Sequence, residues 1–228
     1  MTQEQLDAII RNHLAYLETG AGDCANLRGE VLCGKSLYRA NLEWANLEKT
    51  NLFDANLAHA KLVRSKLMKA NLCRANLRMA NLRWANLYEA KLEKAKLMHA
   101  NLGGACLEKA NLKKANLIGA NLRWAILKET NLNMANLSWT NLFAADFKGV
   151  SLNGANLKDA NLTYAEGNGK EVISKKLDKY WIVWWQNIIQ IGCENHMRNE
   201  WLAFSDKEIN AILPYDIAWW QQYKDQII

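Results

Sequence analysis

From Ala25 to Tyr164 one arrangement of apolar and variable positions recurs every five residues, 28 times without an insertion. The central residue is Leu in 27 repeats and Phe147 in the other. Two places earlier stands Ala in 21 of 28, and Thr50, Ser65, Thr130, Thr140 and Val150 are also small. Glu30 and Lys35, both near the start, are the exceptions. Between these two positions sits Asn in 18 repeats, and the last two positions vary freely. A period of five suits neither ordinary element. On an α-helix five residues advance about 500°, so successive leucines would spread around the cylinder. In a flat strand an odd period sends them to alternate faces. For every Leu and Ala to face one core, the chain must turn a corner once per repeat. Asn beside that corner fits, because its side chain bonds nearby backbone and tolerates left-handed conformations. The period therefore predicts a solenoid, while leaving its handedness and number of sides open.

The run ANLEWANLEKTNLFDANLAHA at residues 40–60 resembles the pentapeptide-repeat family, whose pattern is A(N/D)Lxx. The resemblance spans residues 25–166. It implies a mainly β fold, a right-handed quadrilateral parallel β-helix with four repeats to each 20-residue coil. Twenty-eight repeats would make about seven coils and, at the ~4.8 Å spacing of neighbouring strands, a rod roughly 34 Å long. The sequence departs from the pattern at Glu30, Lys35, Lys61, Lys66, Lys91, Lys96, Cys106 and Ile126, which changes local surface rather than fold.

A rod with open edges needs caps. Residues 1–24 supply one: Thr2 with Gln5 forms a capping-box pattern, Leu6, Ile9, Ile10, His13, Leu14 and Leu17 recur at helical spacing, and Gly20 ends the helix. His13, on that apolar stripe, reads as a packed histidine. Residues 167–228 differ in composition and form a small α+β module. Tyr180–Trp185 and Ile188–Ile191, joined at Gln186 and Asn187, suggest a hairpin, in competition with a helical pattern through Ile173, Leu177, Trp181, Trp184, Ile188 and Ile191. Ser205 with Glu208 marks a short helix, and Pro214 suits the first turn of a last helix carrying Ile217, Trp220 and Ile227. The segment around Ile191-Gly192-Cys193, His196, Trp201, Phe204-Ser205-Asp206, Glu208-Ile209 and Trp219-Trp220 is similar to a C-terminal module of bacterial and phage proteins of unknown role. That resemblance implies a bacterial or phage origin and carries no chemistry.

Composition narrows the classes. With 50% hydrophobic residues and a net charge of +6, the 228-residue chain is not disordered. Its longest apolar run, Tyr180–Trp185, falls far short of the roughly 18 residues that span a bilayer. MTQEQLDAII lacks the basic start and apolar stretch of a signal peptide, and five cysteines include no CxxC pair, so a reducing, cytoplasmic setting is expected. No P-loop, GxGxxG or GxSxG is present. Cys193 and His196 have ligand-like spacing, but no second pair completes a zinc site. His59 and His99 stand two coils, roughly 10 Å, apart, too far to share a metal. The expectation is a protein that is not an enzyme, with no cofactor and no catalytic or metal site.

The surface carries more. If residue n stacks on n+20, one column runs Trp44, Arg64, Trp84, Gly104, Trp124, Ala144, Tyr164, and its neighbour Glu43, Val63, Arg83, Gly103, Arg123, Phe143, Thr163. The preceding face carries Tyr38, Arg78, Met79, Met98, Ile118 and Trp139, whereas the other two faces mix charges, as in Glu48-Lys49 and Glu93-Lys94. Trp44, Arg83, Trp84, Arg123, Trp124 and Trp139 thus form a candidate interaction surface on two adjoining faces. Either the C-terminal module, with six of the ten tryptophans, folds back over it, or it meets a second subunit or another protein. The function expected is non-enzymatic protein binding or scaffolding. Family members resembling this chain include DNA mimics that bind gyrase. Residues 25–166, however, hold 21 Lys+Arg against 11 Asp+Glu, the wrong sign for a duplex mimic. Weak nucleic-acid binding through Arg83-Trp84 and Arg123-Trp124 is a further alternative, disfavoured because the charge is dilute.

Overall fold

A computed structural model describes residues 1–169, 172–192 and 194–228. Parallel bridges join each coil to the next at a spacing of 20 residues, from Asn26 with Asn46 to Asp146 with Glu166. Bridges at 26, 31, 36 and 41 recur through every 20 residues, so each coil has four sides.

The corner lies at the two variable residues. In each repeat a turn closes from the Leu carbonyl to the small residue three places on, as in Ala85 N–H to Leu82 C=O at 3.0 Å. The second variable residue has positive φ in all 28 repeats, and only six of these are Gly. A left-handed conformation costs a side-chain-bearing residue about 1–2 kcal/mol. From Gly29 to Ala144 each such residue also donates its N–H to the next coil, as Trp44 does to Val63 C=O at 2.9 Å. Asn is thus not the left-handed residue. It sits in the bridge, and its Oδ1 accepts the N–H two places on, as in Asn41 with Glu43 at 3.2 Å. Neighbouring asparagines also ladder between coils, Asn71 Nδ2 donating to Asn51 Oδ1 at 3.0 Å. The Asn Oδ1 bond supports the corner, which also forms at Lys61 and Ile126 without it, while the left-handed residue varies because its side chain points to solvent.

The repeat leucines, Phe147 and almost all the small residues are buried in one continuous core. Where a hydroxyl replaces Ala it finds a carbonyl: Thr50 Oγ1 donates to Leu27 C=O (2.7 Å) and Ser65 Oγ to Leu62 C=O (2.8 Å). A buried hydroxyl left unpaired would cost about 1–3 kcal/mol.

Helix α1, Gln3–Thr19, carries the capping box of Thr2 and Gln5 and ends at Gly20 with φ 74°. It lies over the first coil. The Gln3 amide donates to Ser36 C=O (2.9 Å) and accepts Ser36 N–H (3.2 Å), pairing backbone that has no preceding coil. His13 is fully buried, and its Nδ1 accepts the N–H of Ala25 at 3.1 Å. Burial pushes its pKa below the usual histidine value, only partly opposed by the Glu43 backbone and carboxylate. A buried neutral histidine contributes stability above the unfolded value of about 6.5 and loses it as pH falls from there through the lower folded value. Urea midpoints should therefore drop more between about pH 8 and pH 5 in the native protein than in His13→Gln. Parallel losses in both would remove His13 from the cap.

After the last coil come β1 (Val172–Leu177), β2 (Tyr180–Trp185), β3 (Ile188–Ile191) and β4 (Glu194–Met197), an antiparallel sheet in that order. Helices α2 (Arg198–Ala203), α3 (Asp206–Ile212) and α4 (Ile217–Ile227) follow. The competing helical pattern over 173–191 fails because β2 is buried on both faces. Trp181, Val183 and Trp185 pack on the rod core, and Tyr180, Ile182 and Trp184 on a second core with the helices. Such a strand reads as an unbroken apolar run, which periodicity alone cannot distinguish from a helix. The Ser205 box caps α3 as expected. Pro214 does not enter α4. It occupies a turn closed by Asp216 N–H to Leu213 C=O (3.1 Å), with Tyr215 at φ 68°, and α4 begins after Asp216. Proline before a left-handed residue suits such a turn.

This sheet closes the far end of the rod. Buried Gln190 accepts Leu162 N–H (2.9 Å) and donates to Thr163 Oγ1 (2.8 Å), while Asn195 donates to Ala160 C=O (3.3 Å). The module therefore docks on the end of the rod, not on the faces carrying Trp44, Trp84, Trp124 and Trp139. An open coil presents both a backbone edge and uncovered leucines, and the buried face of the sheet satisfies both.

Candidate interaction surface

The backbone sets the direction of each side chain. Trp44, Trp84, Trp124 and Trp139 all hold the left-handed corner position, where the side chain projects outward. They are 50%, 50%, 52% and 67% exposed. Their columns follow the coil ladder: Trp84 N–H donates to Gly103 C=O (3.0 Å), Trp124 to Phe143 C=O (2.9 Å), and Trp139 to Lys158 C=O (2.9 Å). Trp44, Trp84 and Trp124 thus stand two coils apart, about 10 Å.

Neighbours hold Trp44, Trp84 and Trp124 in place. Arg64 stacks on Trp44 with its guanidinium carbon 4.7 Å from the ring centre. Arg123 lies between Trp124 (4.6 Å) and Phe143 (4.5 Å). Trp84 lies across Gly104, where a Cβ would come within 2.3 Å of the indole. Any larger residue at 104 would lift the ring, so the glycine keeps this indole flat on the rod. Phe143 meets Tyr164 edge-on (5.1 Å), and Tyr164 meets Trp181 of β2 (6.1 Å), which carries the aromatic line onto the module. Trp181 was not legible as part of this surface, because the five-residue register ends before it. Arg64, Arg78, Met79 and Phe143 complete the same faces.

Charge separates these faces from the other two. Their variable positions between residues 58 and 144 contain no Asp or Glu. Among the described residues, the cation–carboxylate pairs of the rod all lie elsewhere, for example Arg28–Glu48 (3.3 Å), Arg74–Asp54 (2.9 Å) and Lys148–Glu166 (2.7 Å). Arg64, Arg78, Arg83 and Arg123 form no ion pair there, and the buried Nε of Arg123 has no hydrogen-bond partner among the described residues.

The remaining candidates do not assemble. Cys193 lies outside the described residues. His196 packs edge-on against Trp201 (5.0 Å) and Phe204 (4.9 Å), with Glu194 and Glu200 carboxylates each 3.9 Å away. His59 meets Tyr38 (5.7 Å) and His99 lies over Gly119. The described residues contain no group of three or more His, Cys, Asp or Glu placed to hold a metal, and no helix long and apolar enough to cross a membrane.

The family model described as pentapeptide repeats matches the chain in eight copies, over residues 25–52, 36–72, 50–87, 65–104, 105–142 and 140–166. None of the curated proteins compared with the chain matches it. Among solved structures it is similar to HetL, a pentapeptide repeat protein involved in heterocyst differentiation regulation in Nostoc sp. strain PCC 7120. Identity there is 26%, over 70% of this chain and 95% of that one, with a TM-score of 0.35. A second pentapeptide repeat protein from Nostoc PCC 7120 is 31% identical over 41% of this chain and 84% of its own, with a TM-score of 0.35. QnrB1, a plasmid-mediated fluoroquinolone resistance protein, is 19% identical over 63% and 77%, with a TM-score of 0.37. Pentapeptide repeats wind as right-handed quadrilateral β-helices, in keeping with the four bridge positions per 20 residues seen here. With 142 consecutive residues covered by its repeats, the chain belongs to the pentapeptide-repeat family.

Proposed function

We propose that the protein is a non-enzymatic binding or scaffold protein, acting in the cytoplasm of a bacterium or in phage-infected cells. Its working surface is the pair of faces carrying Trp44, Arg83, Trp84, Arg123, Trp124 and Trp139, on a rod of about seven coils. The observation that carries this reading is the exposed row of Trp44, Trp84 and Trp124, held flat or stacked by their neighbours and left uncovered by both end caps. Trp, Tyr, Met and Arg are enriched at protein interfaces, and fixed aromatic anchors bind at low entropic cost. A duplex-mimicking role on gyrase fits less well, because residues 25–166 carry a net charge of +10, from 21 Lys+Arg and 11 Asp+Glu.

The test is capture of a partner by native protein and by two variants. Trp84→Ala with Trp124→Ala should lose at least about tenfold in retained partner, the usual cost of removing an interface anchor. Lys94→Ala with Lys114→Ala, on a mixed-charge face, should retain it. Equal loss in both variants, or none in either, would rule these faces out.

A further inference from the structure

We infer that the aromatic faces receive an acidic amphipathic helix of the partner protein, laid along the rod; this rests on the interface reading above and gives its partner a chemistry. Three observations carry it. The first is charge. Arg64, Arg78 and Arg83 are exposed, no carboxylate shares their faces between residues 58 and 144, and the pairs of the rod are formed on the other sides. A guanidinium stacked on a ring, as Arg64 is on Trp44, keeps its edge N–H groups free to grip a carboxylate in bidentate fashion. The partner must therefore be acidic.

The second is composition. Between the arginines stand Met79, Trp84, Met98, Ile118, Trp124 and Trp139, at least as many apolar as basic side chains. A strand of DNA presents a phosphate about every 3.4 Å and calls for a dense basic track. A row that alternates anchor and charge instead suits a surface that itself mixes apolar and acidic groups.

The third is repeat length. Coils rise about 4.8 Å each, and one turn of α-helix about 5.4 Å. Residues at i, i+3 or i+4, and i+7 of a helix along the rod thus meet successive coils with a slip of roughly 0.6 Å per turn. An extended strand, with same-face side chains about 6.7 Å apart, leaves register after two coils. From Arg64 to Trp124, the stretch free of carboxylates, is three coil steps, about 14 Å, the length of a helix of about 10 residues.

The experiment titrates the full-length protein, through its tryptophan fluorescence, with three probes. These are a helical peptide carrying Leu and Glu at i, i+3, i+4 and i+7, the same peptide with Lys for Glu, and a single-stranded oligothymidylate. The variant is Arg64→Glu with Arg83→Glu, and the control Lys94→Glu with Lys114→Glu. Glu already occupies the left-handed position of Arg64 at Glu89 and Glu129, and the preceding position, that of Arg83, at Glu43 and Glu108, so the backbone accepts both changes. The acidic peptide should bind the native protein and the control alike, and lose about tenfold or more in affinity on the variant. The Lys peptide should not bind. No binding of the acidic peptide, or equal losses in variant and control, overturns the inference. So does tighter, steeply salt-dependent binding of the oligothymidylate, which would assign the faces to nucleic acid. If partner capture depends on Trp84 and Trp124 but not on the arginines, the interface reading stands and the acidic helix falls.

Discussion

Leu82→Ala should lower the unfolding free energy by about 2–5 kcal/mol, the range for emptying a leucine-sized space in a packed core. Leu82 is fully buried in the rod, and its N–H donates to Asn101 C=O at 2.6 Å. The coils above and below are tied to its own by bridges at every repeat, so the walls of the cavity have little freedom to close. The loss should therefore fall in the upper part of that range. Arg83→Ala, one residue away and exposed, should change stability by about 0.5 kcal/mol or less. Urea midpoints for the two variants make the comparison. Equal midpoints would mean that the repeat leucines do not form the core.

Removing residues 167–228 should have the second large effect. It takes Val172, Val183 and Trp185 out of the rod core and unpairs the backbone at Leu162 and Ala160. Burying one such tryptophan contributes about 1.5–3 kcal/mol or more, and the open coil would also offer a backbone edge to other chains. Light scattering should show end-to-end association, with a lower melting temperature. The fluorescence contributed by Trp44, Trp84, Trp124 and Trp139 should stay unchanged, since none is covered by the module. A monodisperse rod of native stability would show that the module is not a cap.

The rod was readable because its signal repeats. A central Leu in 27 of 28 five-residue repeats, with Phe147 in the other, leaves only a corner-turning solenoid, and the same register predicts which residues stack. The helix at residues 3–19 was readable from local chemistry, Thr2 with Gln5 and then Gly20. The position of the module was not. Trp181, Val183 and Trp185 face the rod while Tyr180, Ile182 and Trp184 face the helices, and a run apolar on both sides does not say what lies against each. Gln190 shows the same limit: a polar residue in an apolar strand becomes intelligible only once Leu162 N–H and Thr163 stand opposite it. Asn beside the corner, bonding nearby backbone, was readable, but that the second variable residue takes the left-handed conformation was not, because side chains of every kind occupy that place.

The most direct test of the working surface is oxidative footprinting of the captured partner complex against the free protein. Trp84 and Trp124, about half exposed when free, should become protected on binding, together with Met79 on the adjoining face. Tyr88 and Met134, on the other two faces, should keep their reactivity. Protection of Tyr88 and Met134 with Trp84 and Trp124 left reactive would contradict the assignment and move the interface to the mixed-charge side of the rod.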